Sequence, residues 1–250
     1  SLYRRAGHTV KMVSATCGDA GHHEFSGASL ATRRRAEAAA SAATIGATSD
    51  VWQYADAQLM PTLELRWQII REIRSFAPDL VLTHRTNDYH PDHRAVGQAV
   101  QDASYLVTVP AVVPDVPILT RDPVVAFLPD RFTRPAPLKA DVVLDVGSEV
   151  ERIVAMLACH ESQVFEWLPF NRGTLEEVPT DASARLSWLR DWALASHRER
   201  AHRYRAELEH VYGAMLGAGV EYCEVFEISE HASALSDELR ERLFGFLYSI

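Results

Sequence analysis

Apolar positions recur along this chain with two periods, and the two alternate. Thr9-Val10-Lys11-Met12-Val13-Ser14-Ala15 is β-rich and partly alternating, which predicts a strand. Ser29 to about Gly46 is rich in Ala and Arg without a breaker, which predicts a helix stopped by the glycine. Val51-Trp52-Gln53-Tyr54 reads as a short strand. Thr62 to Phe76 reads as a helix, with Leu63, Trp67, Ile70 and Ile73 at the helical period and Pro78 at its end. Leu80-Val81-Leu82 has the unbroken apolar character of a buried parallel strand. Pro91 then opens a helix with Val96, Ala99, Val100 and Ala103 on one side. Strand–helix–strand at this spacing implies βαβ units, so an α/β fold with a Rossmann-like, mostly parallel sheet flanked by helices is expected. In such sheets ligands sit beyond the carboxyl ends of the strands, where residues 17–24 and 83–93 fall.

Downstream the pattern is looser. Residues 107–147 are rich in Val and Pro and read as loops with strands near 124–128 and 141–146. A helix is expected over 148–165, opened by Ser148 with Glu151 as a capping box. A long Arg- and Glu-rich helix is expected over 183–212, a strand over Tyr222 to Ile228, and a helix over Ser236 to Leu247. No linker or repeat interrupts the series, so residues 1–250 are read as a single domain. Leu2-Tyr3-Arg4-Arg5-Ala6-Gly7 reads as the last turn of a helix, basic near its C-terminal end and stopped by glycine. A helix that begins at its last turn implies upstream sequence, and the domain is expected to be truncated at its N-terminus.

Composition narrows the function. The chain has 250 residues, 47% apolar and 24% charged, within the ordinary range of a globular protein. Its net charge of −9 opposes binding to nucleic acid or to an anionic membrane face, and no apolar run reaches a membrane span. Cys17, Cys159 and Cys223 are odd in number and far apart, which fits a reducing, cytoplasmic compartment better than a disulfide framework or a zinc knuckle.

The chemistry gathers in His84-Arg85-Thr86-Asn87-Asp88-Tyr89-His90-Pro91-Asp92-His93. Pro91 suits the first helical position, so His90 falls near the N-cap and His93 about one turn later on the same side. Two imidazoles so spaced can face one cavity, one on a metal and the other on a substrate. The helix N-terminus disfavours imidazolium, and Asp88 or Asp92 would offset this. The plainer alternative is that Asp92 caps the helix and both histidines are exposed loop residues. Arg33 to Arg35 and Arg198 to Arg205 read as solvated helix faces, and Trp188 and Trp192 as a core edge.

These residues resemble the PIG-L/LmbE-like family of zinc-dependent N-deacetylases. His90-Pro91-Asp92-His93 resembles its second motif, with Leu80 to His84 before it and Arg94-Ala95-Val96-Gly97 after. Ala6 to Val10 followed by Gly18-Asp19-Ala20-Gly21 is similar to its second strand and loop. Arg34-Arg35-Ala36-Glu37 is similar to its Arg-x-x-Glu helix, and Cys159 to Val164 to its His-x-Ser-Gln stretch. The family's first motif, His-Pro-Asp-Asp, is not in the chain, which implies that the first central strand is missing together with two metal ligands and a general base.

The resemblance implies a metal-dependent hydrolase that removes an acetyl group from an N-acetylglucosaminyl-type conjugate. It assigns the metal to His93 and makes Arg34 and Asp56 candidates for substrate contacts; His90 and Asp92 are read as catalytic beside that metal, and Asp88 and His23 as substrate contacts from their loops, with metal ligation by His22 and His23 the alternative. Zn2+ is the expected cofactor, with Fe2+ an alternative for such a His/Asp site. The expected partner is a small N-acetylated sugar conjugate. Two other readings stay open: a non-catalytic sugar-binding pseudoenzyme, and a metal-dependent phosphoesterase built on Asp88, His90, Asp92 and His93.

Overall fold

A computed structural model describes residues 1–249 of the chain. In chain order it holds α1 (Leu2–Arg5), β1 (Lys11–Thr16), α2 (Gly27–Ala43), β2 (Thr48–Tyr54), α3 (Leu63–Phe76), β3 (Leu80–Thr83), α4 (Pro91–Ala103) and β4 (Val124–Phe127). There follow β5 (Val142–Asp145), α5 (Val150–Ala158), α6 (Leu168–Arg172), α7 (Ala182–Arg203), α8 (Arg205–Tyr212), α9 (Ala214–Gly219), β6 (Cys223–Ile228) and α10 (Asp237–Phe244). The fold is α/β, with the parallel pairs β1–β2 and β3–β4 flanked by helices, as the alternation of periods implies. It divides into two compact units, each assembled from two chain segments: residues 1–57 with 145–224, and residues 58–144 with 225–250.

In the first unit β1 and β2 pair in parallel, Lys11 opposite Thr48. α2 packs on β2 and on α5. Val154, Val164, Phe165, Leu189 and Ala193 form a buried cluster, and Trp188 and Trp192 close its edge as expected. Two helices differ from the sequence reading. The helix expected over 148–165 breaks after Ala158, and a π-helix, Ser162–Trp167, follows. Ser148 does not cap it, because the neighbouring Glu149 is buried and drawn into ion pairs with Arg5 and Arg152. The long helix expected over 183–212 is interrupted at Tyr204, which is buried with a non-helical backbone.

The four-stranded sheet has the order β3-β4-β6-β5. β3 and β4 are parallel, Leu80 opposite Val124, whereas β6 runs antiparallel to β4. The Asp141 N–H bonds the Phe226 carbonyl and the Val146 N–H the Tyr222 carbonyl, so β5 is antiparallel to β6 as well. β3 therefore has one strand neighbour, and Leu82 is 41% exposed where a buried inner strand was expected. α3 starts at Thr62, whose hydroxyl accepts from the Leu65 N–H, and stops where Ala77 turns left-handed before Pro78. Its buried stripe is Leu65, Ile69, Ile70 and Ile73; Leu63 and Trp67 lie exposed, because the i, i+4 row starting at Leu65 faces inward.

Gly97 lets α4 come down onto the loop after β3. A Cβ there would sit 2.6 Å from the His84 carbonyl oxygen and 3.0 Å from that of Arg85, both backbone atoms that cannot swing away. Gly97→Ala is therefore expected to cost about 1–3 kcal/mol and to push α4 off the loop. Thermal unfolding checks this, and a melting temperature equal to wild type would refute the close approach.

Candidate active site

β3 ends at Thr83 and delivers the segment 84–90, after which Pro91 starts α4 with its missing N–H in the first turn, where no bond is lost. His90 is the N-cap, extended at φ −86°, and its Nδ1 accepts from the Asp92 N–H at 3.3 Å. Asp92 is not the cap; it is buried, and its Oδ1 accepts from the Leu59 N–H at 3.1 Å. The rings of His90 and His93 stand 4.9 Å apart between centroids, so the two imidazoles share one side of the helix start. Asp88 Oδ1 accepts from the His90 N–H at 2.9 Å and lies 3.1 Å from His93 Nδ1. Arg94 clamps the same turn from outside, donating to the carbonyls of Asp88 and Tyr89.

These partners fix the tautomers. A carboxylate only accepts, so His93 Nδ1 carries the proton and Nε2 presents a lone pair. The Asp92 N–H only donates, so His90 Nδ1 is bare and its proton sits on Nε2. Two neighbouring imidazoles thus point opposite chemistry outward, a lone pair from His93 and a donor from His90. Asp92 Oδ2 is 3.9 Å from His90 Nδ1, too far for a hydrogen bond.

His84, Asp88 and His93 bring candidate metal-ligand atoms within 4.8 Å of one another. His93 fits a divalent ion well, since a carboxylate behind Nδ1 and an open Nε2 are the usual support of a metal-bound imidazole. His84 does not join it as it lies. Its ring stacks face to face on His93 at 4.1 Å and 2°, so the two lone pairs run in parallel planes and do not converge. Burial, with the nearby His93 second, pushes the His84 imidazole down to about 4, which keeps it neutral against its neighbour. The sequence placed His84 in the cluster without assigning it a role.

Arg34, Asp56 and His23 come together in the other unit, on α2 and on the loops after β2 and β1. Arg34 is 8% exposed and is not on a solvated face, contrary to the sequence expectation; its Nη2 donates to the Gly21 carbonyl at 2.6 Å, and its Nε is buried without a partner. Burial holds its guanidinium below the usual range, against the pull of Glu37 and Asp56. Arg33 is also committed, gripping Glu166 at 2.7 Å and Glu37 at 3.2 Å; Arg35 alone of the three lies exposed. Asp56 accepts from the Thr16 hydroxyl through Oδ1, and its own N–H is held by Asp19. His23 is sandwiched between His22 at 4.5 Å and Phe170 at 4.2 Å, its Nδ1 buried and unpartnered. Glu166, Trp167 and Phe170 were not legible beforehand, since they reach this loop from a π-helix and α6 more than a hundred residues away.

Residues 1–104 match the family model described as PIG-L, GlcNAc-PI de-N-acetylase. That match covers less than half of the chain, so it is a similarity of the first 104 residues. A curated relative, the 4-oxalmesaconate hydratase of Pseudomonas putida, is 24% identical over 184 residues, 70% of this chain and 71% of that protein. Among solved structures, the N,N'-diacetylchitobiose deacetylase of Pyrococcus horikoshii is similar at TM-score 0.65 and 22% identity, over 92% of this chain and 76% of that one. The 4-carboxy-2-hydroxymuconate hydratase of Pseudomonas putida KT2440 is similar at TM-score 0.66 and 18% identity, over 94% and 90%. At these identities the likeness establishes a fold, one used by a deacetylase and by a hydratase. No described helix of the chain is long and apolar enough to cross a membrane.

Proposed function

We propose that the chain is a metal-dependent hydrolase that removes an acetyl group from an N-acetylated sugar conjugate. The observation that supports this reading is the opposite tautomers of His90 and His93 at the start of α4. His93 would hold a divalent metal through Nε2, oriented by Asp88. A metal there supplies a water of lowered pKa and polarises the acetamide carbonyl. His90 Nε2–H would donate to the oxygen that becomes negative when the carbonyl carbon turns tetrahedral. The proton that the attacking water gives up would end on the departing amine nitrogen as the C–N bond breaks, which leaves acetic acid and a free amine, with His90 still a neutral donor. In the other unit, taken by itself, Arg34 and Asp56 offer a donor and an acceptor that suit hydroxyl groups.

The test is release of amine and acetate from N-acetylglucosaminides by the chain loaded with Zn2+ or Fe2+. Turnover is expected with metal and not after chelation. A chain that releases no amine with either ion but hydrates an unsaturated carboxylate would overturn the reading in favour of the hydratases it resembles.

A further inference from the structure

We infer that Arg85 is a positioning residue of the site: it ties the segment 84–90 to residues 130–136 and so holds Asp88 against His93. The inference rests on the proposed role of His93 and adds the residue that keeps its carboxylate partner in place. Arg85 lies in the loop after β3, where an arginine normally reaches into water. Here it is 6% exposed. Each of its three nitrogens has an acceptor. Nε and Nη2 donate to Asp130 at 2.6 and 2.7 Å, Nη1 to the Ala136 carbonyl at 3.0 Å, and Nη2 also to the Phe132 carbonyl at 3.1 Å. Glu227 on β6 stands 3.6 Å from Nη1. A two-point pair with carbonyls around it fixes the guanidinium in direction as well as in place. Asn87 repeats the tie two residues on, donating to the Arg134 carbonyl at 3.3 Å.

The main chain of Arg85 is held from another direction. α4 passes so close at Gly97 that the carbonyls of His84 and Arg85 have no room to move towards it. Side chain and main chain together leave this stretch of loop one position. Asp88 comes three residues later. Its Oδ1 serves two donors at once, the His90 N–H at 2.9 Å and His93 Nδ1 at 3.1 Å. A retreat of about 0.5 Å takes the longer contact out of hydrogen-bond range. His93 would then keep both ring nitrogens but lose the group that decides which of them carries the proton.

The test compares wild type, Arg85→Lys, Asn87→Ala and Arg66→Met. The His93 tautomer is read by nitrogen-15 NMR of the chelated protein, and Zn2+ affinity by calorimetry. Arg85→Lys keeps the charge beside Asp130 and loses the two-point tie, since an ammonium cannot match the fork. Arg66→Met breaks an ion pair of the same unit, to Asp102 near the other end of α4, and is the control for loosened packing. Wild type is expected to hold His93 with its proton on Nδ1. Arg85→Lys is expected to show both tautomers and a Zn2+ affinity lower by about 10- to 100-fold. Asn87→Ala loses an exposed bond, so it is expected to keep the wild-type melting temperature and to lose about threefold in affinity. Arg66→Met is expected to melt lower and to leave His93 unchanged. A lower melting temperature in Arg85→Lys with the wild-type tautomer and affinity overturns the inference, because the arginine then only braces residues 130–136. An equal change in Arg66→Met overturns it, as does a wild type that already shows both tautomers. Should Arg85→Lys fail to fold, a wild-type tautomer and affinity in Asn87→Ala overturns it. Amine release measured in parallel separates the two claims. An Arg85-dependent tautomer in a chain that releases no amine keeps the tie and overturns the hydrolase, whereas amine release with an unchanged tautomer in Arg85→Lys does the reverse.

Discussion

His93→Ala is expected to lose the metal and all turnover, while His90→Ala keeps the metal and loses only turnover. The rings stand side by side, but their hydrogen bonds give them opposite outward chemistry. His93 has an Asp88-backed proton on Nδ1 and a free lone pair on Nε2, so removing it removes a ligand. His90 has its lone pair occupied by the Asp92 N–H and only a donor to offer, so removing it leaves the metal in place. The expected loss of kcat in His90→Ala is about 10²- to 10⁴-fold, the usual range for a lost general acid or oxyanion donor. Asp88→Asn lies between them, with metal affinity reduced by about 10- to 100-fold because His93 loses the group that sets its tautomer. Metal content by mass spectrometry, read beside kcat, separates the three variants. Equal metal retention in His93→Ala and His90→Ala would refute the assignment.

Arg74→Met is expected to destabilise the fold by about 3–5 kcal/mol, more than any surface change. Arg74 is buried on α3, and its guanidinium donates to six backbone carbonyls, those of Leu106, Val107, Val109, Val112, Val113 and Val116. A buried charge is normally held by a carboxylate, but here carbonyl dipoles hold it, and Asp115, the nearest acid, is bonded to Arg71. Burial lowers the Arg74 pKa without removing the charge, since guanidinium stays protonated far above neutrality. Met fills the volume and leaves these carbonyls without their donor, in a segment that has little regular structure of its own. The melting temperature should drop by roughly 6–20 °C for a domain of this size. Arg74→Lys should fall between, as one ammonium cannot reach all six oxygens. A drop below about 1 °C in Arg74→Met would show that these carbonyls find other partners.

The two predictions mark what was and was not legible in the sequence. His90, Asp92 and His93 could be placed because they are local: Pro91 sets the helix start, and the helical repeat then puts both rings on one side. β1, β3 and β6 were legible for the same reason, being short apolar runs between turn residues. The role of Arg74 was hidden, because its partners are main-chain oxygens in a Val- and Pro-rich stretch whose side chains say nothing of a turn wrapped round a guanidinium. The cluster around Gly21 was half visible: Arg34 and Asp56 were expected, but Trp167 and Glu166 arrive through a π-helix that no periodicity announces. Tyr204 and Glu149 broke or recapped helices because burial and ion pairing outweighed local propensity.

The place of β6 has a consequence for how the protein is made. It lies between β4 and β5, so an inner position of that sheet is filled by a segment made after both of its neighbours. Until residue 228 has emerged, β4 and β5 cannot be bridged, and each shows a bare edge on the side that β6 will cover. Vectorial synthesis can therefore complete the β1–β2 pair early, but this sheet has to close late and in one step.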